Sequence, residues 1–393
     1  MAISLLHQCG HNSNWNRDSF TDESIGDGLI LSPVHSSRSA VEGLDEATRS
    51  QSLFDPQYYL PSSQKKKLKT YEFFPETISG GFRTNDFSMH ALESASLCTE
   101  FQIDQNFRAV IIPTRYFDQM ISDFCELQDT YSVHPFIEAI SESSNDRPVY
   151  LNLVLTSHMI KDSVFRTNIL NWVTSFPQID GLYLIPDCPR TTKQVDDAGF
   201  LEELLVMLHQ LKEIGLEAIL GYQNTEGLLS TVVPDVELTF GTFENTRIFS
   251  VDKFIQSDEE RRGPKARIYL PGLLNWVQLE QAKEIKLSCP DVWDRVYVPT
   301  SYSEAALDAP LEPTFNQPQL YKHHFIVYEQ QIRELDDLSS LQRYELLREK
   351  LIHAQDCYAE LNDKRVHLER HGRGEYLGSW INALDRHWRN YLA

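Results

Sequence analysis

Cysteine is sparse and scattered in this 393-residue chain: Cys9, Cys98, Cys125, Cys188, Cys289 and Cys357 form no C-x-x-C pair and no Cys/His cluster at zinc-ligand spacing. That usage points to a reduced, cytoplasmic protein and argues against a structural zinc site. Long apolar runs are missing too. Nowhere do about eighteen apolar residues follow one another, so no membrane span is expected. The opening, MAISLLHQCGHN, has no basic segment ahead of its few apolar residues and reads as a first strand, not a signal peptide.

Basic residues are in deficit, with 36 Lys and Arg against 57 Asp and Glu, a formal charge of −21. A surface of that sign is a poor general platform for phosphate. The deficit is uneven, because residues 321–393 hold 11 basic and 12 acidic residues and leave nearly all of the net charge to residues 1–320. Nucleic-acid contact would therefore use the tail or a local basic patch. Several chemical signatures are absent as well: G-x-G-x-x-G after the first strand, the P-loop, H-E-x-x-H, G-x-S-x-G, and a His-x-His closing the first strand. No metal and no cofactor are expected from this pattern.

What is present is a strand-and-helix alternation on a composition of 41% hydrophobic and 11% aromatic residues, enough for a large core. Eight short apolar runs close in polar residues: ISLLHQCGHN, GLILSPVHSS, SLFDPQYYL, RAVIIPTRY, VYLNLVLTSH, GLYLIPDC, EAILGYQN and VELTFGTFEN. Near-continuous apolar character marks strands buried on both faces. Helical patterns lie between most of them. In FLEELLVMLHQLKEIG, Leu201, Leu204, Leu205, Leu208 and Leu211 make one stripe, and Gly215 is placed to end the helix. The alternation predicts an α/β fold, a (β/α)8 TIM-like barrel over residues 1–300, with a doubly wound open parallel sheet as the alternative. A proline-containing linker is expected over 301–320, and an α-helical extension over 321–393. Its last stripe, Leu377, Trp380, Ile381, Leu384, Trp388 and Tyr391, must be covered by the barrel, by the other tail helix or by a protein partner.

In a parallel barrel the site lies at the carboxyl ends of the strands. The polar residues closing the eight runs are His11 and Asn12, His35, Asp55 and Gln57, Arg115, Asn152 and His158, Asp187, Gln223, Asn224 and Glu226, and Glu244, Asn245 and Arg247. Asp55, Asp187, Glu226 and Glu244 are the expected catalytic carboxylates around one cleft, a set suited to general acid/base, glycosyl-transfer or hydrolytic chemistry. Asp55 also precedes Pro56, and such a step opens turns. Tyr58 is a candidate stacking wall, with Arg115 and Arg247 as anion clamps. Gly221, Gly241 and Thr242 end the last two strands, where many barrels hold a phosphate, although glycines there also let strands pack closely. The lysines of QKKKLK read as a solvated loop, and the adjacent His323 and His324 point apart on a helix.

SGGFRTNDF (79–87) and the stretch from Thr246 to Leu270 resemble parts of the barrel transglycosylases that exchange guanine in tRNA. The resemblance covers few residues and lacks that family's cysteine-rich zinc motif, so it assigns no family; it implies a zinc-less, nucleic-acid-modifying barrel as one further possibility. The leading expectation is an enzyme or ligand-binding barrel for a nucleotide, nucleobase or other phosphorylated substrate. The rival is a non-catalytic scaffold whose C-terminal helices dock protein partners.

Overall fold

A computed structural model of the chain describes residues 2–60, 62–63, 65–79, 87–255, 263, 265–311 and 313–392. All eight apolar runs form strands: β1 (Leu5–Gln8), β2 (Gly28–Leu31), β3 (Leu53–Phe54), β4 (Val110–Ile112), β5 (Val149–Thr156), β6 (Gly181–Asp187), β7 (Glu217–Leu220) and β8 (Val236–Gly241). They make one sheet in the order β3-β2-β1-β8-β7-β6-β5-β4, with every pairing parallel. The pairing of β1 with β8, Leu5 opposite Leu238, curls the sheet round. At the remaining seam, Arg108 N–H donates to the Ser52 carbonyl at 3.0 Å below the strands, and Tyr116 N–H donates to the Tyr59 carbonyl at 3.1 Å above them. The result is a nearly closed (β/α)8 barrel with a helical C-terminal region. The doubly wound alternative fails on this order, because consecutive strands are neighbours and the first pairs with the last.

Period-two alternation explains why the runs are apolar throughout. Leu6, Ile30, Leu53, Ile111, Tyr150, Val154, Tyr183, Ile185 and Ile219 fill the lumen, while their neighbours in sequence, such as Leu5, Leu29, Phe54 and Leu184, pack outward under the helices. At the amino end of the lumen Arg108 forks onto the Glu237 carboxylate at 2.9 and 3.1 Å.

The Ala198–Glu213 helix shows the local logic of the crossovers. The Asp197 carboxylate accepts from Phe200 N–H at 2.9 Å at its start, and Gly215, at φ +80°, turns the chain after its end. The crossover from β7 to β8 is a single turn, Gly227–Ser230.

After β8 the chain adds an antiparallel hairpin, β9 (Arg267–Leu270) and β10 (Asn275–Gln278), and then helices. Within the stretch expected to be a linker, Ser301–Leu307 is helical, because Thr300 and Ser303 cap it reciprocally. The Gln319–Arg333 helix covers β1 and β8, with the Phe325 ring 5.1 Å from Phe240 and 4.8 Å from His7. Part of the barrel's outer layer is thus supplied from beyond residue 300. The Leu377–His387 helix lies on the Ala198–Glu213 helix: Trp380 is fully buried and its Nε1–H donates to the Val195 carbonyl at 2.8 Å, while Trp388 stacks on Tyr344 at 5.0 Å. All six thiols are free. Among the described residues no helix is long and apolar enough to cross a membrane.

Candidate functional site

The four expected carboxylates follow the carboxyl ends of β3, β6, β7 and β8 and stand at one rim, but each faces different surroundings. Asp55 is fully buried at the mouth of the lumen, its Oδ2 accepting from Tyr59 O–H at 2.8 Å and its Oδ1 from Gln57 N–H at 3.0 Å. Asp187 accepts from Tyr116 O–H at 2.6 Å, and burial raises its carboxyl pKa against that bond. Glu226 is ion-paired with Arg190 at 2.7 Å, both side chains nine-tenths buried. Glu244 is half-exposed and paired with Lys193. They do not share one cleft.

The mouth of the lumen is filled by aromatic rings. Tyr59, Tyr222, Phe249 and Phe254 close over the strands, with Tyr59 edge-on to Phe249 and Phe254 at 5.5 and 5.4 Å. Into this cap the segment after β8 inserts Lys253, whose Nζ lies 3.5 Å above the Tyr222 ring. Burial pushes the Asp55 carboxyl up to about 6, against the pull of Tyr59 and the Lys253 charge. Tyr58 is not part of this wall. It points outward under the Ala91–Asp104 helix, its hydroxyl bonded to the Phe73 carbonyl and to Ser94 Oγ, because the left-handed turn at Gln57 gives Tyr59 the inward place.

One open space at this rim lies off the barrel axis. A cleft of about 500 Å³ opens between the ends of β1 and β8, the β9–β10 hairpin and the start of the Gln319–Arg333 helix. Phe243, Trp276, Phe315 and Tyr321 give it aromatic walls; Arg247, Lys265 and Arg267 give it cationic ones, and His11 also lines it. No family model and no curated protein matches the chain. The cleft must therefore be read from its own chemistry. Arg247, on the one-turn helix Glu244–Arg247, is only 6% exposed, and its guanidinium lies 4.0 Å over the Trp276 ring. Burial lowers its pKa to about 10 against the pull of Glu244 and Glu226. Arg247 Nε–H and Trp276 Nε1–H are both buried without an acceptor among the described residues. A buried donor left unpaired costs about 1–3 kcal/mol, so such donors mark a place where a ligand's acceptors fit.

The other expected residues divide accordingly. His11, Glu244, Asn245 and Arg247 line the cleft. Asn12, at φ +56°, bonds Asn316 Oδ1 at 2.6 Å. Asn224 holds the Lys193 carbonyl and Gln194 Oε1 and accepts weakly from Arg247 Nη1 at 3.5 Å; Gln223 turns back on the Gly221 carbonyl. His35 and Gln57 sit at the lumen mouth. Arg115 lies over Phe117 and Tyr131 at 5.6 and 6.0 Å, and His158 is exposed on the Ser157–Lys161 turn; neither lines the cleft. Asn152 is mid-strand, since β5 runs on to Thr156.

Thr242 is buried, and Gly241 is packed against Thr246: a Cβ there would lie 2.2 Å from Thr246 Oγ1, leaving no room for a phosphate over it. Gly221 is likewise packed on Tyr183. Residues 80–86, at the centre of the SGGFRTNDF resemblance, and 256–262 and 264, within the second stretch, lie outside the described residues, as does Gln64 of QKKKLK. Sequence reading missed Trp276, Tyr321, Lys265 and Arg267, which the hairpin and the covering helix bring to the rim, and also Lys253 and Arg190. One signal was available for the hairpin residues: RIYL and NWVQ are short runs with apolar centres on either side of the turn-forming PGLL.

Proposed function

We propose that the protein binds a planar anionic ligand of the nucleotide or nucleobase-phosphate class in the rim cleft, with Glu244 as the carboxylate at hand for acid/base chemistry of the glycosyl-transfer or hydrolytic type. The observation that carries this reading is the pair of unpaired buried donors, Arg247 Nε–H and Trp276 Nε1–H, on the wall of an aromatic and cationic cleft. An anionic oxygen placed there would meet both donors, and the ring of a base would find a face at Phe315 or Tyr321 to stack on. A small ligand fits the charge better than a polynucleotide, because around the cleft Arg267 is already paired with Glu369 and Lys193 with Glu244.

Calorimetric titration with nucleoside monophosphates, the matching nucleosides and inorganic phosphate tests the proposal. Binding of the monophosphate is expected to weaken about 10- to 100-fold in Arg247→Met, the loss of a charge-assisted hydrogen bond. Absence of any heat at millimolar monophosphate would sink it. The scaffold reading is favoured by a different observation, the aromatic cap of Tyr59, Tyr222, Phe249 and Phe254 that packs over the lumen. In that case no nucleotide binds, and the helical C-terminal region carries a protein partner.

A further inference from the structure

The loops after β2, β3, β7 and β8 converge on the mouth of the lumen, where they bury polar atoms that nothing in the proposed cleft uses. Lys253 Nζ, His35 Nε2 and Gln57 Oε1 are all enclosed without a hydrogen-bond partner among the described residues. The amine is held among rings, 3.5 Å from the centroid of Tyr222, 5.1 Å from Phe254 and 5.5 Å from Phe249. Two residues beside it, Gln57 and Tyr222, adopt left-handed backbone at φ +57° and +55° without being glycine, and Gln57 Nε2 donates to Tyr222 O–H at 3.0 Å. Strained backbone flanking unpaired buried polar atoms is characteristic of a site and is costly for a mere plug.

We infer that the Lys253 amine is a nucleophile that condenses with the carbonyl group of a small aldehyde or ketone at the mouth of the barrel, the Asp55 carboxyl group relaying the protons. An ammonium here would carry three donors with no acceptor, whereas the neutral amine keeps its lone pair. Burial drives the Lys253 pKa down against the opposing pull of Asp55, and this is how a lysine becomes nucleophilic at neutral pH.

The step balances without a co-reactant. The nitrogen lone pair forms the C–N bond, and the carbonyl π pair moves to oxygen, which takes a proton from the Asp55 carboxyl. The ammonium of the adduct returns a proton to the Asp55 carboxylate. A second transfer from Asp55 lets the oxygen leave as water while the nitrogen pair closes the C=N bond. One water is released and nothing is oxidised or reduced. The inference stands apart from the cleft, whose residues it does not use.

The intact protein is incubated at pH 6.5 with pyruvate or glyceraldehyde 3-phosphate and sodium cyanoborohydride, and modified lysines are located by peptide mass mapping. The reduced adduct is expected on Lys253 at least tenfold faster than on the exposed Lys66 and Lys286, and Lys253→Met, folded by circular dichroism, loses the fast adduct alone. Asp55→Asn is expected to slow Lys253 at least tenfold and leave Lys66 and Lys286 unchanged. Should that variant not fold, Tyr59→Phe removes the hydroxyl donor that favours the Asp55 carboxylate and should move the high-pH fall in the Lys253 rate upward. A Lys253 rate no faster than that of the exposed lysines overturns the inference. An unchanged rate in Asp55→Asn, or an unmoved pH profile in Tyr59→Phe, overturns the role of Asp55.

Discussion

Lowering the pH from 7 to 5 should cost the fold at least about 3 kcal/mol from His7 and His323 set against Asp55 alone, and His35, His324 and His387, whose pKa values burial also lowers, add to that loss. His7 is fully enclosed on β1 between Phe240 and Phe325, one ring nitrogen bonded to the Ile25 carbonyl at 2.9 Å and the other to the Asn16 amide at 3.2 Å. Burial holds its pKa down at about 4, against Ile25 and the more distant carboxylates of Asp27 and Glu23. His323, bonded to the Tyr269 carbonyl, is likewise lowered to about 4. An unfolded chain takes up these protons below pH 6.5 and the folded chain refuses them until about 4, so stability is lost as pH falls through that window. At about 1.4 kcal/mol per pH unit, each histidine costs roughly 2 kcal/mol by pH 5. Asp55 works the other way: its raised folded pKa of about 6 returns roughly 1 kcal/mol over the same interval. Urea denaturation at pH 7, 6 and 5 measures the sum. In His7→Phe the Ile25 carbonyl and Asn16 lose their partner, so absolute stability falls, but its slope between pH 6 and 5 should be shallower than wild type by about 1.4 kcal/mol per pH unit. Equal wild-type stability at pH 7 and 5, an unchanged slope in His7→Phe, or an NMR titration of His7 near 6.5 would refute the reasoning.

Two further perturbations test the packing and the buried charges. Trp380→Ala empties a fully buried site and unpairs the Val195 carbonyl, so a loss of about 3–5 kcal/mol is expected by chemical denaturation, and removing residues 375–393 should leave the protein insoluble; a truncation that stays folded and soluble contradicts this. Glu226→Gln strands the Arg190 charge and should cost about 3–5 kcal/mol, whereas the double variant Arg190→Met, Glu226→Leu should recover most of it, since a buried pair exchanged for apolar groups is often neutral. A double variant as unstable as the single one would show that the pair itself stabilises the loops.

The strands were legible because burial on both faces leaves a signal that needs no partner to be seen: even β3, two residues long, announces itself as the apolar Leu53–Phe54 step ahead of Asp55. The rim followed from the strands, since the carboxyl end of each is fixed by chain direction. What the sequence does not carry locally is which rim residues meet. Tyr58 and Tyr59 are adjacent and chemically alike, yet only the second reaches Asp55, because the turn at Gln57 sets which of them faces inward. Arg247 finds Trp276 through a hairpin that the β/α alternation does not predict, and Tyr321 arrives on a helix that the same alternation would have assigned to the space directly after β8. The segment that intervenes instead, Val251–Phe254, spends its aromatic residue and its lysine on the mouth of the lumen. Strand-end reading therefore places the four carboxylates at one rim but does not say which rim residues meet, since that is decided by contacts across tens of residues and not by any periodicity within them.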